Sequence, residues 1–180
     1  MRTPTATELR APQHKNYGLR KFYKLASILE VKRRMAANEI VIFDIDGTLA
    51  DISQREHHVR SHPKNWNAFF EGMAEDKAVA SMIRLCNILY DSGVYIILCS
   101  GRNERHREET VKWMAREGVK YHELRLRADG DMRSDVKAKR EMLRGIDKDK
   151  ILFVVEDRSR VVEMWRSEGL TCLQCAHGDF

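Results

Sequence analysis

One apolar segment limits the possible folds of this chain more than any other: IVIFDIDGTLAD, residues 40–51. Its β-branched residues predict a buried strand, yet the strand runs directly into Asp44 and Asp46. An ionised carboxylate is costly to bury unless it is paired or bound to a cation. The segment therefore predicts a core strand that ends at the rim of a sheet, where the two carboxylates face a site.

Two further apolar segments end in the same way. VYIILCSGR closes with residues 100–102, and ILFVVEDR carries Glu156 and Asp157 at its end. Near-continuous apolar strands that alternate with helical segments predict an α/β fold, with a central parallel sheet covered on both faces. Ligands of such sheets bind beyond the carboxyl ends of the strands. We therefore expect the polar ends of all three strands to converge.

The remaining elements follow from apolar periodicity. Helices are predicted in residues 17–37, 65–73, 78–92, 104–117, 134–144 and 158–168, and further strands near 121–126 and in 170–175. Only about fifty residues separate the first two polar strand ends. This interval leaves no room for a large folded lid, so the site is expected to be open.

The residue types at the strand ends indicate phosphoryl transfer. Carboxylates packed together repel one another unless a cation neutralises them, and an all-oxygen group favours Mg²⁺ over Zn²⁺. Ser100, Arg102 and Lys139 suit a bound anion. One aspartate can attack phosphorus while the other serves as general acid and then base.

These motifs resemble those of the haloacid dehalogenase (HAD) superfamily of phosphatases. FDIDGTLA is similar to its first motif, LCSGR to its second and VVEDR to its fourth. GDMRSDVKAK and the segment from EDRSRVVEMW to the final GDF resemble the 3′-phosphatase domain of bacteriophage polynucleotide kinase–phosphatase more specifically. The resemblance covers about residues 39–180 and implies a three-layer, Rossmann-like HAD fold with a minimal cap.

The resemblance implies a role for each matching residue. Asp44 is the implied nucleophile and Asp46 the acid/base, while Asp44, Asp157 and the backbone carbonyl of Asp46 hold Mg²⁺. Glu156 stands where the phage enzyme has aspartate; other branches of the superfamily use Glu-Asp, with the glutamate reaching the metal through water. The implied phosphate- or substrate-binding residues are Arg55, Ser100, Gly101, Arg102, Asp135 and Lys139.

The implied function is a Mg²⁺-dependent phosphatase that removes 3′-terminal phosphates from DNA or RNA through an aspartyl-phosphate. No G-x-x-x-x-G-K-[ST] phosphate loop occurs in the sequence, so a kinase or ligase partner is expected to be a separate protein. Two alternatives stay open: a nucleotidase acting on free nucleoside monophosphates, and a non-catalytic subunit that binds nucleic-acid ends.

The net charge of +5 is unevenly distributed. Residues 1–38 carry +7 and residues 39–180 carry −2. This basic arm, with its amphipathic helix, either attracts a polyanion such as nucleic acid or presents a solvated helix face. No apolar run reaches the length of a membrane span, and no secretory leader is recognisable. A cytoplasmic location is expected, in the host cytoplasm if the protein is viral.

Several other side chains receive structural interpretations. Trp66, Phe69 and Phe70 have helical spacing, which favours a packing face over a surface for nucleobase stacking. His57, His58 and His62 are expected at the surface or facing the substrate, rather than as a metal cluster. The four cysteines, including the C-x-x-C pair of residues 172–175, are expected to be structural thiols.

Overall fold

The computed structural model describes residues 39–60 and 62–178. The strands are β1 (Ile40–Phe43), β2 (Ala50–Asp51), β3 (Lys77–Ala78), β4 (Tyr95–Asn103), β5 (Glu123–Arg127), β6 (Ile151–Glu156) and β7 (Cys172–Gln174). The α-helices are α1 (His57–Arg60), α2 (Trp66–Glu71), α3 (Ala80–Asp91), α4 (Arg107–Arg116), α5 (Asp135–Glu141) and α6 (Ser159–Ser167). Short 3₁₀ helices cover Gly72–Glu75, Glu104–His106 and Lys148–Lys150.

Five strands form one parallel sheet in the order β5–β4–β1–β6–β7. Strand β1 lies at its centre and is hydrogen-bonded to β4 on one side and β6 on the other. The three strands with polar ends are therefore neighbours, and their carboxyl ends lie at the same edge. The predicted α/β fold with a central parallel sheet is confirmed.

The alternation of side chains along β1 divides the core into two layers. Val41 and Phe43 pack against α3 and α4, with Trp113 as the largest side chain of that layer. Ile42 faces the opposite side, where it packs with Trp165 and other apolar residues of α6. Helices thus cover both faces, which is why the strands are apolar on both sides.

The segment between β1 and α3 contains only short elements. Strands β2 and β3 pair antiparallel over two residues each, and α1 and α2 lie between them in sequence. Ile52, Val59, Phe69, Phe70 and Met73 form a small core of their own beneath these helices. This insertion agrees with the predicted minimal cap, but the two-residue strands were not predicted because they are too short to show a pattern.

The other predicted elements are present with shifted ends. The helix predicted over 104–117 begins with a 3₁₀ turn, and the one predicted over 134–144 ends at Glu141. The strand predicted near 121–126 begins at Glu123. The amphipathic helix predicted in residues 17–37 lies outside the described residues, as does the rest of the basic arm. Across residues 39–60 and 62–178, no helix combines the length and apolarity needed to cross a membrane.

The layered core predicts a contrast between two leucines in the sheet. Leu98 in β4 is fully buried, whereas Leu152 in β6 is 42% exposed. We expect Leu98→Ala to lower the free energy of unfolding by about 2–5 kcal/mol, because it leaves a cavity between packed layers. Leu152→Ala, the matched control, should change it by no more than about 1 kcal/mol. Urea denaturation measures both, and equal losses would contradict this description of the core.

Candidate active site

The candidate site lies at the carboxyl edge of the sheet. Asp44 and Asp46 follow β1, while Glu156 ends β6 and Asp157 follows it. Helix α5 adds Lys139, whose side chain is 3% exposed. The structure thus brings together the predicted groups from the first and fourth motifs with the lysine of α5.

Three carboxylates form an acidic group around one ammonium. Asp44, Glu156 and Asp157 are buried, and each offers an oxygen within 4.8 Å of the others. Lys139 Nζ donates hydrogen bonds to Asp44 Oδ1 and to Glu156 Oε2, both at 2.7 Å. Trp165 Nε1 donates a further bond to Glu156 Oε2 at 3.3 Å.

The electrostatics of the acidic group indicate that it lacks positive charge. Burial raises the pKa of Asp44, Glu156 and Asp157, and the carboxylates raise one another's further, while Lys139 opposes this. The pKa of Asp157 reaches about 6. Three carboxylates against one ammonium leave two negative charges in excess when all are ionised. A divalent cation with oxygen ligands fits this charge and this donor set, and Mg²⁺ is such a cation.

Two glycines allow Asp157 to sit where it does. Gly47 has a φ of +89°, and a Cβ added there would lie 2.2 Å from Asp157 Oδ2. A Cβ on Gly178 would lie 1.9 Å from the same oxygen. The turn after β1 and the segment after β7 therefore both close on Asp157, and neither tolerates a side chain at these points.

Asp46 lies in a different environment from Asp44. Its Oδ1 accepts hydrogen bonds from Arg55 Nη2 and Arg102 Nη2, both at 2.6 Å. Asp76 binds the same arginine pair, accepting from Arg55 Nε at 2.7 Å and from Arg102 Nη2 at 3.3 Å. Burial alone would raise the pKa of Asp46, but the two guanidiniums outweigh it and hold that pKa well below its usual range.

These contacts bear on three predicted roles. Arg55 and Arg102 were predicted to bind the phosphate or nucleotide, yet both are buried and engaged with carboxylates, and neither lines the cavity described below. Asp46 was predicted to bind the metal through its backbone carbonyl, and this stays a prediction; its carboxylate lies with the arginine pair and outside the acidic group. Asp76 was not predicted at all, since nothing in its local sequence distinguishes it from a surface acid.

The second motif and α5 meet around Asp135. Its carboxylate accepts hydrogen bonds from Arg127 Nη2 at 3.0 Å and Arg158 Nη1 at 3.1 Å, and Lys139 Nζ lies 3.8 Å away. A Cβ on Gly101 would lie 2.6 Å from Asp135 Oδ1, so a glycine is required there. Ser100 is fully buried, and its Oγ accepts a hydrogen bond from the Arg102 amide at 3.3 Å. Asp135 therefore fixes three cations beside the acidic group.

A cavity of about 500 Å³ opens above these residues. Asp44, Asp157 and Lys139 form part of its lining. We call the basic residues around them the cationic wall; they are Lys64, Arg105, Arg127, Arg133, Arg158 and Arg160.

An aromatic surface completes the lining of the cavity. Phe69 and Phe70 are buried, as predicted for a packing face, and their edges also belong to the lining. The same prediction was wrong for Trp66, which is 42% exposed and lines the cavity. Trp66 is the first residue of α2, and the helical spacing alone did not reveal that this face ends at the solvent.

Several solved structures have folds similar to that of this chain. It is similar to the class C acid phosphatase from Bacillus anthracis, with 15% identity over 92% of this chain and 80% of that chain and a TM-score of 0.59. It is also similar to a putative β-phosphoglucomutase from Thermotoga maritima, with 16% identity over 79% of this chain and 87% of that chain and a TM-score of 0.56. These two likenesses show the fold, and the match of residues 38–180 to a HAD phosphatase-domain model makes the chain a HAD-type phosphatase, a phosphoric monoester hydrolase.

The particular family follows from the sequence. The model of the polynucleotide kinase PNKP phosphatase domain matches residues 38–180, and the chain belongs to this family. A chain in the structure of a Pnkp1/Rnl/Hen1 complex is 30% identical, with a TM-score of 0.68. The match covers 79% of this chain and 47% of that chain, so this chain spans just under half the length of that relative.

Gly47 offers a direct test of the acidic group. We expect Gly47→Ala to displace Asp157 and so to weaken the stabilisation of the fold by Mg²⁺, measured as the shift in Tm between EDTA and excess Mg²⁺. Gly169→Ala is the control: its φ is +83°, but a Cβ there meets nothing within 4 Å. Both variants should lose about 1–2 kcal/mol from backbone strain, but only Gly47→Ala should lose the Mg²⁺ response. Equal Mg²⁺ responses in both variants would contradict the assignment.

The raised pKa of Asp157 predicts a pH-dependent stability. The folded state binds this proton up to about pH 6, whereas the unfolded carboxyl titrates near 3.8, so wild type loses stability as pH rises between these values. In EDTA, Asp157→Asn should therefore gain about 3 kcal/mol relative to wild type between about pH 4 and pH 7. Excess Mg²⁺ should reverse the order at pH 7. A difference that stays constant with pH would contradict this assignment.

Proposed function

We propose that this chain is a Mg²⁺-dependent phosphatase that removes 3′-terminal phosphates from polynucleotides through an aspartyl-phosphate intermediate. The proposal rests mainly on one feature: a nearly buried acidic group that lines the same cavity as the six basic residues of the cationic wall. The acidic group, which can hold a divalent cation, suits the hydrolysis of a phosphate ester. The wall suits a substrate that carries more than one phosphate.

The cationic wall favours a polynucleotide end over a mononucleotide. A mononucleotide has one phosphate, which the reaction requires beside Asp44 and Lys139. The cationic wall would then face only the nucleoside, even though Asp131 and Asp135 neutralise part of its charge. Phosphodiesters upstream of a 3′-phosphate supply further negative charges, and such backbone contacts position nucleic acids on proteins. A structure of the Pnkp1/Rnl/Hen1 RNA repair complex contains a relative with 29% identity, which supports RNA as the first substrate to test.

Asp44 has the geometry of a nucleophile. Lys139 donates to Oδ1, and no hydrogen bond to Oδ2 is present among the described residues. In the first half-reaction, a carboxylate oxygen of Asp44 forms a bond to phosphorus while the bond from phosphorus to O3′ breaks. Lys139 uses two of its three N–H groups in hydrogen bonds to Asp44 and Glu156, and the third is suited to a phosphoryl oxygen.

Asp46 carries the proton in both half-reactions. Asp46 first takes up a proton from solvent and gives it to the departing O3′. It later regains a proton from the water that attacks phosphorus, while the bond from phosphorus to the Asp44 oxygen breaks and inorganic phosphate is released. The arginine pair keeps Asp46 ionised, which is the form that accepts a proton from water. The pair also orients its carboxylate, so Arg55 and Arg102 act as positioning residues in this proposal. Protonation of the leaving group is therefore the harder of the two proton transfers.

The acidic group would hold the metal ion. Asp44 and Asp157 are the proposed ligands, together with the backbone carbonyl of Asp46, and Glu156 supports them. Mg²⁺ bound there supplies positive charge for the phosphoryl oxygens in the transition state. Ser100 and Gly101 complete the phosphate-binding loop in this proposal, although Ser100 is buried and of the two only Gly101 lines the cavity. Asp135 holds Arg127 and Arg158 in place.

The partners of the protein are also proposed by analogy with its relatives. The Pnkp1/Rnl/Hen1 complex joins several proteins, which supports a separate kinase or ligase partner for this chain. The basic arm of residues 1–38, with its charge of +7, is a candidate contact for either nucleic acid or such a partner. A cytoplasmic location remains a prediction.

The proposed activity is tested by phosphate release from matched substrates. The substrates are a 3′-phosphorylated oligoribonucleotide, its deoxy counterpart, a 5′-phosphorylated oligonucleotide, and free 3′- and 5′-mononucleotides. We expect the 3′-phosphorylated oligonucleotides to give the highest kcat/KM, with activity lost in EDTA. Asp44→Asn should lower kcat by at least about a thousandfold, since it removes the nucleophile.

Asp149→Asn is the matched control, because Asp149 is exposed and lies away from the cavity lining. It should leave kcat unchanged. Faster hydrolysis of mononucleotides would contradict the proposed substrate and favour the nucleotidase alternative. No release from any substrate, with binding of oligonucleotide ends retained, would favour the non-catalytic alternative.

A further inference from the structure

Trp66 differs from the other tryptophans of the chain in its exposure. Trp113 and Trp165 are 1% and 0% exposed and belong to the two core layers, whereas Trp66 is 42% exposed. Its indole lines the same cavity as Asp44 and Asp157. An exposed indole beside a reactive site, rather than elsewhere on the surface, indicates a ligand with a flat apolar face.

The indole is held in a fixed position. Trp66 packs edge-on against Phe69, with ring centroids 5.8 Å apart, and nearly parallel to Phe70 at 6.2 Å. Asn65 caps α2 by accepting a hydrogen bond from the Ala68 amide at 3.1 Å. The two phenylalanines belong to the small core beneath the insertion. The ring is therefore presented in advance of ligand binding, which lowers the entropic cost of a contact with it.

Positive charge lies next to the indole. Lys64 Nζ is 5.5 Å from the centroid of the Trp66 ring, and Lys64 lines the cavity together with Arg158 and Arg160. Burial and the nearby charges of these two arginines lower the pKa of Lys64. These three side chains place positive charge at one end of the cavity, where a phosphate group of a ligand can bind. A ligand with a planar ring joined to phosphates matches both surfaces.

A second apolar side chain faces the same cavity. Met132 is 93% exposed, in the loop between β5 and α5. Its flexible thioether packs favourably on aromatic rings. The cavity thus offers apolar contacts from two separate segments of the chain, beyond the acidic group and the cationic wall.

We propose that Trp66 stacks on the base of the terminal, 3′-phosphorylated nucleotide and so helps to select the substrate end. This inference rests on the proposed function, since it concerns the same site. The cationic wall near Lys64 then receives the phosphodiester on the other side of that nucleotide. A base that is not held in a duplex reaches the fixed indole of Trp66 more easily, so the preferred end is one whose last base is unpaired.

The test compares a normal 3′-phosphorylated oligoribonucleotide with one whose terminal nucleotide lacks its base. Wild type should show about a tenfold lower KM for the normal end, with similar kcat, because base–aromatic stacking contributes on this scale. Trp66→Ala should raise KM for the normal end to the abasic value and leave the abasic KM unchanged. Trp66→Phe should restore most of the preference. Wild type should also hydrolyse an overhanging end faster than the same end in a blunt duplex.

Tyr95→Ala is the matched control, because Tyr95 is also 42% exposed but does not line the cavity. It should behave as wild type. Binding to Asp44→Asn, measured by anisotropy of a labelled oligonucleotide, should show the same base preference without turnover. The inference is overturned if wild type treats normal and abasic ends alike, if Trp66→Ala keeps the preference, or if overhanging and blunt ends react equally. Failure of the proposed function gives a different result: wild type would then release phosphate from neither the normal nor the abasic 3′-phosphorylated oligonucleotide.

Discussion

The whole site depends on the hydrogen bonds from Lys139 to Asp44 and Glu156. They place one positive charge among three buried carboxylates and leave two negative charges for a cation to balance. Buried ionised groups are costly unless they are paired, so the surrounding fold has to hold this arrangement together. The central strand delivers Asp44, its neighbour β6 delivers Glu156, and Gly47 leaves the space that Asp157 occupies.

The two aspartates after β1 are separated by one residue and enter opposite environments. Asp44 shares an ammonium with another carboxylate, and its pKa is raised by burial and by its neighbours. Asp46 is bound by two guanidiniums, which hold its pKa low. Divergent pKa values in adjacent titratable groups commonly accompany different chemical roles. These directions are the reverse of what a nucleophile at Asp44 and a proton donor at Asp46 require, so the proposed roles need a bound cation that lowers the pKa of Asp44. Asp76 is the residue that anchors the arginine pair.

The sequence predicted the parts that depend on local pattern. The parallel sheet follows from apolar strands that alternate with helices, and the grouping of Asp44 with Glu156 follows from strand ends that share an edge. The contacts of Arg55 were not predictable in this way, because its partner Asp76 lies twenty-one residues away and reaches it only through the packing of the insertion. Trp66 was assigned to the core for a related reason: helical spacing identifies a face but not where solvent begins. Strands β2 and β3 were missed because two residues carry no periodicity.

The acidic group as a metal site is tested most directly by a crystal structure of the protein grown with Mn²⁺ in place of Mg²⁺. Anomalous scattering locates this ion independently of the protein density. The account predicts one strong anomalous peak in contact with the carboxylates of Asp44 and Asp157, with Lys139 still bound to Asp44. The absence of a peak there, or a peak between Asp46 and Asp76 with the arginine pair displaced, would contradict it.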